Sequence, residues 1–85
     1  ELAFEQASVQ SKTLTKPPDN DSLLALYSLY KQGSLGDCSG SRPGVMDVVG
    51  RAKFDAWAAR KGTVRDAAMA DYVALVSRLK QADAA

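Results

Sequence analysis

The sequence has few of the residues that most catalytic and metal sites require. It contains no histidine and one cysteine, Cys38, among 85 residues. Without histidine the commonest general base is absent. Cys38 has neither a base to activate it nor a second cysteine for a disulfide. The carboxylates are scattered, so we expect no catalytic residue, no metal site and no cofactor. The unpaired cysteine favours a reducing compartment.

Long apolar runs and an excess of one charge are also missing. The apolar stretches are only a few residues long, whereas a membrane span needs roughly 20. Eleven lysines and arginines oppose ten acidic residues, for a net charge of +1, so the basic surface of a nucleic-acid-binding protein is not expected. The first residues show no signal-peptide pattern. We expect a cytoplasmic protein without membrane insertion or a nucleic-acid partner, and we take it to be a monomer.

The apolar residues that are present recur with a helical period. The length supports one domain, residues 1–85, with a single core. Helices are predicted over residues 2–14, 20–35, 51–61 and 63–82. Lys16-Pro17-Pro18 ends the first helix, a glycine-rich loop over 36–50 follows the second, and Gly62 ends the third. Four helices without a strand pattern predict an all-α bundle.

Short local signals refine these bounds. Asp19-Asn20-Asp21 offers an N-cap and acidic charge to the second helix. Arg42-Pro43-Gly44 is typical of a turn within the long loop. Thr63-Val64-Arg65-Asp66 resembles a capping box and predicts the start of the last helix.

The second predicted helix is apolar on more sides than one small core requires. One face contains Leu23, Leu26, Tyr27 and Tyr30. An adjoining stripe contains Leu24, Ser28, Lys31 and Leu35. A helix of this kind either lies at the centre of the bundle or covers something besides the core. We interpret it as a first indication of a ligand surface.

Within this helix, Tyr27-Ser28-Leu29-Tyr30-Lys31 is the most informative run. Tyr27 and Lys31 are neighbours one turn apart, and Tyr30 lies between them in angle. An ammonium group beside two phenol rings suits a phosphorylated aromatic ligand, because a ring can stack and lysine can bind the phosphate. Alternatively both tyrosines are core residues and Lys31 extends to solvent. Spacing alone favours this alternative, and it treats Lys12, Lys53 and Tyr72 as solvated or core residues as well.

Taken together, these residues resemble the acyl-CoA-binding protein family. The resemblance covers nearly the whole chain and needs no gap in the long loop. It rests on the strings YSxYKQ at 27–32, RPG at 42–44, KxDAW at 53–57 and KGT at 61–63. Further matches are Phe4, Ala7, Lys16-Pro17-Pro18, Leu23, Gly36-Asp37, Asp47, Gly50-Arg51-Ala52, Ala67-Ala68-Met69 and Tyr72-Val73. The strings are specific in combination, although each alone is weak.

The resemblance implies a four-helix, up-down-down-up bundle. Its expected function is to bind, and to transport or buffer inside the cell, medium- to long-chain acyl-CoA esters without catalysis. By analogy Tyr27, Lys31 and Lys53 hold the ribose 3′-phosphate, and Tyr30 stacks on the adenine. The other implied ligand contacts are Lys12, Ser28, Leu29, Val49 and Tyr72. The acyl chain is expected in a groove lined by Ala7, Ser8, Leu23 and Leu24.

The chain departs from the family pattern at a few positions. Val48 and Val49 stand where the family commonly has an aromatic residue followed by lysine. The affinity for phosphate is therefore expected to be lower unless Arg51 compensates. Phe54 stands in place of a frequent tryptophan, a loss of volume that the core should tolerate.

Two other functions stay open from the sequence. A helical module of this size can dock a partner protein in the same apolar groove, and such binding would not depend on a 3′-phosphate. The chain can also be a domain that presents acyl-CoA within a larger enzyme.

Overall fold

A computed structural model describes residues 1–84, which contain four helices and no strand. The helices are α1 (Leu2–Ser11), α2 (Asn20–Leu35), α3 (Val48–Ala58) and α4 (Arg65–Ala84). The predicted all-α, four-helix fold is therefore confirmed. The bounds of α2 agree with the prediction, because Asp19 caps the helix by accepting a hydrogen bond from the Ser22 amide at 2.8 Å.

The first and last helices run in the same direction. Near the start of α1, the Phe4 ring packs edge-on against Tyr72 of α4, with 5.2 Å between ring centroids. Just beyond the end of α1, Thr13 accepts a hydrogen bond from Lys80, two turns further along α4. The contacts thus advance together along both helices.

The second helix runs antiparallel to α4. The Tyr30 and Tyr72 rings lie 5.7 Å apart, whereas Gly33, one turn further along α2, lies against Met69, one turn earlier in α4. A Cβ atom at Gly33 would come within 3.0 Å of the Met69 side chain. The missing side chain at Gly33 therefore allows α2 to lie close to α4.

The third helix runs parallel to α2. The Lys53 ammonium lies over the ring of Tyr27, and the Lys31 ammonium, one turn further along α2, lies over the ring of Trp57 in the next turn of α3. The long connection between α2 and α3 is what permits two consecutive parallel helices. The resulting order is up-down-down-up, as the family resemblance implied.

The core lies between α1, α2 and α4. Its buried members are Phe4, Ala7, Leu29, Ala68, Tyr72 and Val76. Four half-buried side chains pack against them, namely Leu26, Met69, Val73 and Leu75. Half of the buried set, Ala68, Tyr72 and Val76, belongs to α4. Apolar burial of this kind is the main stabilising term of the fold.

The predicted bounds of the other three helices were wrong. The first helix ends at Ser11, not at residue 14. The Ser11 and Thr13 hydroxyls each donate to a backbone carbonyl three residues earlier, at 2.8 Å, and such bonds compete with continued helix. The third helix begins at Val48 and ends at Ala58, in contrast to the predicted 51–61. The last extends to Ala84, beyond the predicted residue 82.

The signals near the third and fourth helices also need correction. Asp47 is the N-cap of α3, and its side chain accepts a hydrogen bond from the Gly50 amide at 2.9 Å. The helix therefore begins at Val48, three residues before the predicted start. The first residue of α4 is Arg65, so Thr63 lies two residues before the helix and not at its N-cap. Gly62 does adopt a left-handed conformation, with φ of 91°, but it follows the end of α3 by four residues.

A polar brace joins the end of α2 to the connections on both sides of α3. The amide nitrogen of buried Gln32 donates to Asp37 at 2.9 Å and to the Thr63 carbonyl at 2.8 Å. The Asp37 carboxylate also accepts from the Gly62 amide at 3.0 Å. These bonds, with the Gly62 amide as the largest contributor, lower the pKa of Asp37. The brace fixes how α3 lies along α2.

Arg42, in the long loop, is attached to α3. Its guanidinium makes two bonds to Asp55, at 2.9 and 2.7 Å, and these bonds lower the pKa of Asp55. The turn in this loop lies at residues 44–47, where the Asp47 amide donates to the Gly44 carbonyl at 3.0 Å. The predicted turn at Arg42-Pro43-Gly44 therefore overlaps the observed one only at its last residue.

Candidate ligand-binding site

Two of the depressions along α2 contain most of the predicted site residues, and each has its own chemistry. The first, which we call the tyrosine pocket, has a volume of about 290 Å³ and is lined by Ser8, Ser11, Lys12, Leu26, Tyr27, Tyr30 and Tyr72. The second, the aliphatic pocket, has a volume of about 300 Å³ and is lined by Asn20, Leu23, Leu24, Val48, Val49, Ala52 and Lys53. Consecutive turns of α2 connect them.

The tyrosine pocket has a ring surface prepared for stacking. One face of the Tyr30 ring stacks on Phe4, with centroids 5.2 Å apart and planes 18° apart. The Tyr30 side chain is nevertheless 40% exposed, so its other face can take a planar ligand group. The buried Tyr72 ring closes the bottom, and its hydroxyl donates to Ser11 at 3.4 Å. Lys12, the C-cap residue of α1, supplies a cation to the lining.

Two ammonium groups meet at the Tyr27 ring, on the α3 side of the tyrosine pocket. The Lys31 nitrogen lies 5.7 Å from the ring centroid, and the Lys53 nitrogen lies 5.4 Å from it. Lys31 also lies 5.7 Å from the Trp57 ring. These distances are within the range of cation–π attraction, so the rings help to hold both cations in place.

The paired lysines offer two positive charges that are not neutralised by a carboxylate in the described part of the chain. Within residues 1–84 the ion pair between a side-chain cation and a carboxylate is Arg42 with Asp55, so no carboxylate neutralises Lys31 or Lys53. Two cations that share one aromatic ring repel each other, and a bound phosphate would relieve that repulsion. Charge-assisted hydrogen bonds to phosphate oxygens are among the stronger polar contacts.

The aliphatic pocket exposes apolar carbon at the side of α2 and α3. Val48 and Val49 are 71% and 65% exposed, and Leu23 is 46% exposed. Ala52 and the half-buried Leu24 complete the apolar lining. Covering these side chains with an alkyl group would remove apolar area from water on both partners, which is favourable.

The structure gathers most of the predicted site residues around these two pockets. The tyrosine pocket contains Lys12, Tyr27, Tyr30, Tyr72 and Ser8. The aliphatic pocket contains Leu23, Leu24, Val49 and Lys53. Lys31 joins Lys53 at the Tyr27 ring. Tyr27 and Tyr30 both line a pocket, and neither belongs to the buried core cluster, in contrast to what spacing alone favoured.

Three predicted contacts lie elsewhere. Ser28 and Leu29 are buried, and the Ser28 hydroxyl donates to the Ala25 carbonyl and accepts from Arg60 at 3.0 Å. Ala7 is buried and faces a separate depression between α1 and α4. The four residues of the predicted acyl groove do not share one depression, since Ala7, Ser8 and the two leucines line different ones. The roles of Ser28, Leu29 and Ala7 in ligand binding stay predictions.

Several lining residues were absent from the predicted set. Leu26 and Ser11 belong to the tyrosine pocket, and Val48 and Ala52 belong to the aliphatic pocket. Leu26 shares a helical face with Tyr27 and Tyr30, a signal that could have found it. Arg51, expected as a substitute cation for residue 49, is half-buried and lines neither pocket.

Other kinds of site find little support in the part of the chain that the structure describes. Among residues 1–84, no three histidine, cysteine, aspartate or glutamate side chains are grouped to hold a metal ion. No helix in the same range has the length and apolar character needed to cross a membrane. Cys38 is half-buried in the connection between α2 and α3.

The fold and the two pockets define a small helical binding protein for a ligand with a phosphorylated aromatic end and an apolar end. Comparisons with known proteins give the family. Residues 1–76 match the family described as acyl CoA binding protein. The chain therefore belongs to the acyl-CoA-binding protein family, as the sequence resemblance indicated.

Individual relatives agree in sequence and in structure. The acyl-CoA-binding protein of Dictyostelium discoideum is 51% identical over 76 residues, which cover 89% of this chain and 90% of the relative. The acyl-CoA-binding protein homolog 1 of Caenorhabditis elegans is 47% identical over 92% of this chain and 91% of the relative. The crystal structure of acyl-CoA-binding protein 2 from Oryza sativa superposes with a TM-score of 0.93 at 38% identity, covering 98% of this chain and 90% of that chain.

Proposed function

We propose that this chain binds medium- to long-chain acyl-CoA esters, one molecule at a time, and carries or buffers them without altering them. The observation that carries the proposal is the Tyr27 ring with two unneutralised lysines, placed between a pocket for an aromatic base and a pocket for an alkyl chain. Membership of the family supports the same ligand class.

The nucleotide end of the ligand is assigned to the tyrosine pocket. The adenine stacks on the open face of Tyr30, while Lys31, Lys53 and the Tyr27 hydroxyl bind the ribose 3′-phosphate. Lys12 binds a phosphate from the α1 side of the pocket. Each of the phosphate contacts is a hydrogen bond to a charged group, a class worth about 1.5–3 kcal/mol.

The acyl end is assigned to the aliphatic pocket. Burial of alkyl carbon contributes about 0.8 kcal/mol per CH₂ group. A palmitoyl chain thus offers on the order of 10 kcal/mol before the costs of association are subtracted. Neither end alone uses both pockets, so the whole ester binds far more tightly than either CoA or free fatty acid.

Transport or buffering, and not turnover, follows from the chemistry of the lining. The two pockets present tyrosine and serine hydroxyls, lysines and aliphatic side chains, and the sequence holds no histidine to act as a general base. A thioester held in these pockets therefore meets no activated nucleophile. We place this carrier in the cytoplasm, as a monomer, and the single cysteine supports a reducing compartment.

Titration calorimetry tests the proposal. Palmitoyl-CoA, CoA and palmitate are titrated into the purified chain below their aggregation limits. One-to-one binding that is tight for palmitoyl-CoA and much weaker for the two fragments is the expected result. Equal affinity for CoA and palmitoyl-CoA would remove the aliphatic pocket from the site, and absence of binding by all three would refute the function.

A further inference from the structure

The last turns of α4 hold the segment that follows α1. The Asp83 carboxylate accepts three hydrogen bonds there, from the Thr15 amide at 3.1 Å, the Thr15 hydroxyl at 2.8 Å and the Lys16 amide at 2.7 Å. One turn earlier, the Lys80 ammonium donates to the Thr13 hydroxyl at 3.1 Å. We call this set of contacts the α4 clasp. Lys80 and Asp83 both lie beyond residue 76, where the match to the family ends.

The clasp acts next to a residue of the site. Lys12 is the C-cap of α1 and lines the tyrosine pocket, and Thr13 is the residue that follows it. The connection over residues 12–19 has no helix of its own. The ten-residue α1 is short enough to be marginal without tertiary support. The backbone at Lys12 therefore depends on what holds the residues just after it.

Restraint of the backbone at Lys12 affects how much entropy this flexible side chain loses when it binds a ligand. A lysine side chain loses rotamer freedom when it binds, and free motion of its backbone would add to that cost. The clasp restrains the chain at Thr13 and again at Thr15 and Lys16, so Lys12 starts from a fixed point at the pocket. A fixed starting point reduces the ordering that ligand binding requires.

We infer that Asp83 and Lys80 are positioning residues, which set Lys12 against the phosphates of the ligand through the segment after α1. The inference rests on the proposed function, because it assigns Lys12 to a ligand phosphate. It also gives the end of α4 a role in affinity, although neither Asp83 nor Lys80 lines the tyrosine pocket.

A double-mutant cycle distinguishes positioning from a general structural effect. Asp83→Ala, Lys12→Ala and the double variant are titrated with palmitoyl-CoA, and Asp71→Ala serves as control because Asp71 is exposed on the same helix and lines no pocket. We expect Asp83→Ala to weaken binding about three- to tenfold, a coupling typical of connected residues. In the Lys12→Ala background the same change should alter affinity less than twofold. Asp71→Ala should bind as the parent does.

The outcomes separate failure of the inference from failure of the function. If the parent does not bind palmitoyl-CoA, the proposed function is refuted and the inference with it. If the parent binds but Asp83→Ala retains its affinity, the clasp does not position Lys12. If Asp83→Ala costs as much without Lys12 as with it, the clasp acts on the whole fold, and the inference is again overturned. Circular dichroism melts of all variants show that each is folded at the temperature of the titration.

Discussion

Replacing Lys31 by alanine is the sharpest test of how the site recognises phosphate. The Lys31 ammonium is placed between the Tyr27 and Trp57 rings, 5.7 Å from each centroid, with no carboxylate partner within residues 1–84. A cation already held in this way loses little freedom when phosphate arrives. The bond it makes should then be worth the usual range for a charged group, about 1.5–3 kcal/mol.

That free energy corresponds to a roughly ten- to hundredfold loss of affinity, since about 1.4 kcal/mol is a factor of ten. Palmitoyl-CoA is titrated into the parent and into Lys31→Ala, and the titrations are repeated with 3′-dephospho-palmitoyl-CoA. The variant should lose affinity for the complete ligand and change less than threefold for the dephospho form. Lys61→Ala is the matched control, because Lys61 is exposed in the connection between α3 and α4.

The variant should remain folded, so a lost affinity can be attributed to the site. The two cation–π contacts amount to about 0.5–2 kcal/mol each, whereas a domain is typically stable by about 5–15 kcal/mol. Equal losses for the two ligands would show that Lys31 does not contact the 3′-phosphate. Unchanged affinity for both would remove Lys31 from the site.

Three further predictions concern the packing of α2 on α4, the aliphatic pocket and the stability of the fold in acid. Gly33→Val should lower the free energy of unfolding in urea by about 1–3 kcal/mol, because it overpacks the contact of α2 with α4, whereas Gly44→Val, in open space, should change it little. Leu24→Ala should weaken palmitoyl-CoA about five- to thirtyfold in calorimetry, as three carbons leave the aliphatic pocket, and an equal loss for CoA would contradict that assignment. Hydrogen bonds lower the pKa of Asp37 in the folded state below its ordinary value of 3.8. The ionised Asp37 carboxylate therefore stabilises the fold at pH values above 3.8, and this stabilisation is lost as the pH falls through the lowered folded-state pKa. Asp37→Asn should therefore lower the thermal midpoint at pH 7 and converge with the parent in strong acid, while Asp71→Asn should follow the parent throughout.

Some features were predictable because their causes are local. The second helix was placed correctly, since Asp19 caps it by a bond to Ser22, three residues away. The third was placed too late, because Val48, Val49 and Gly50 are poor helix formers and hide the start that Asp47 provides. Apolar periodicity predicted α4, and its residues Ala68, Tyr72 and Val76 are buried in the core, as a helical apolar period implies.

The site itself was less accessible to sequence reasoning. Periodicity could not tell that Tyr30 is partly exposed in a pocket whereas Tyr72 is both core and pocket floor, because both lie on apolar helical faces. The family resemblance was needed to assign them. The hydrogen bonds of Asp83 join it to Thr15 and Lys16, which lie 68 and 67 positions earlier in the sequence. No periodic pattern in the sequence reports a contact over that separation.

The attachment of α1 has a consequence for how a ligand leaves. Within residues 1–84, the extensive contacts of α1 are with α4, whereas α2 packs on both α3 and α4. The tyrosine pocket lies between α1 and α2, so a bound nucleotide touches two helices that hold each other mainly through a third. Occupancy then adds to the direct contact between α1 and α2 that the Phe4–Tyr30 stack already makes, and departure of the ligand removes that addition. The rate of ligand dissociation should therefore depend on how often α1 separates briefly from the bundle. Slower hydrogen exchange of the α1 amides in the bound protein would indicate that the ligand holds α1 in place.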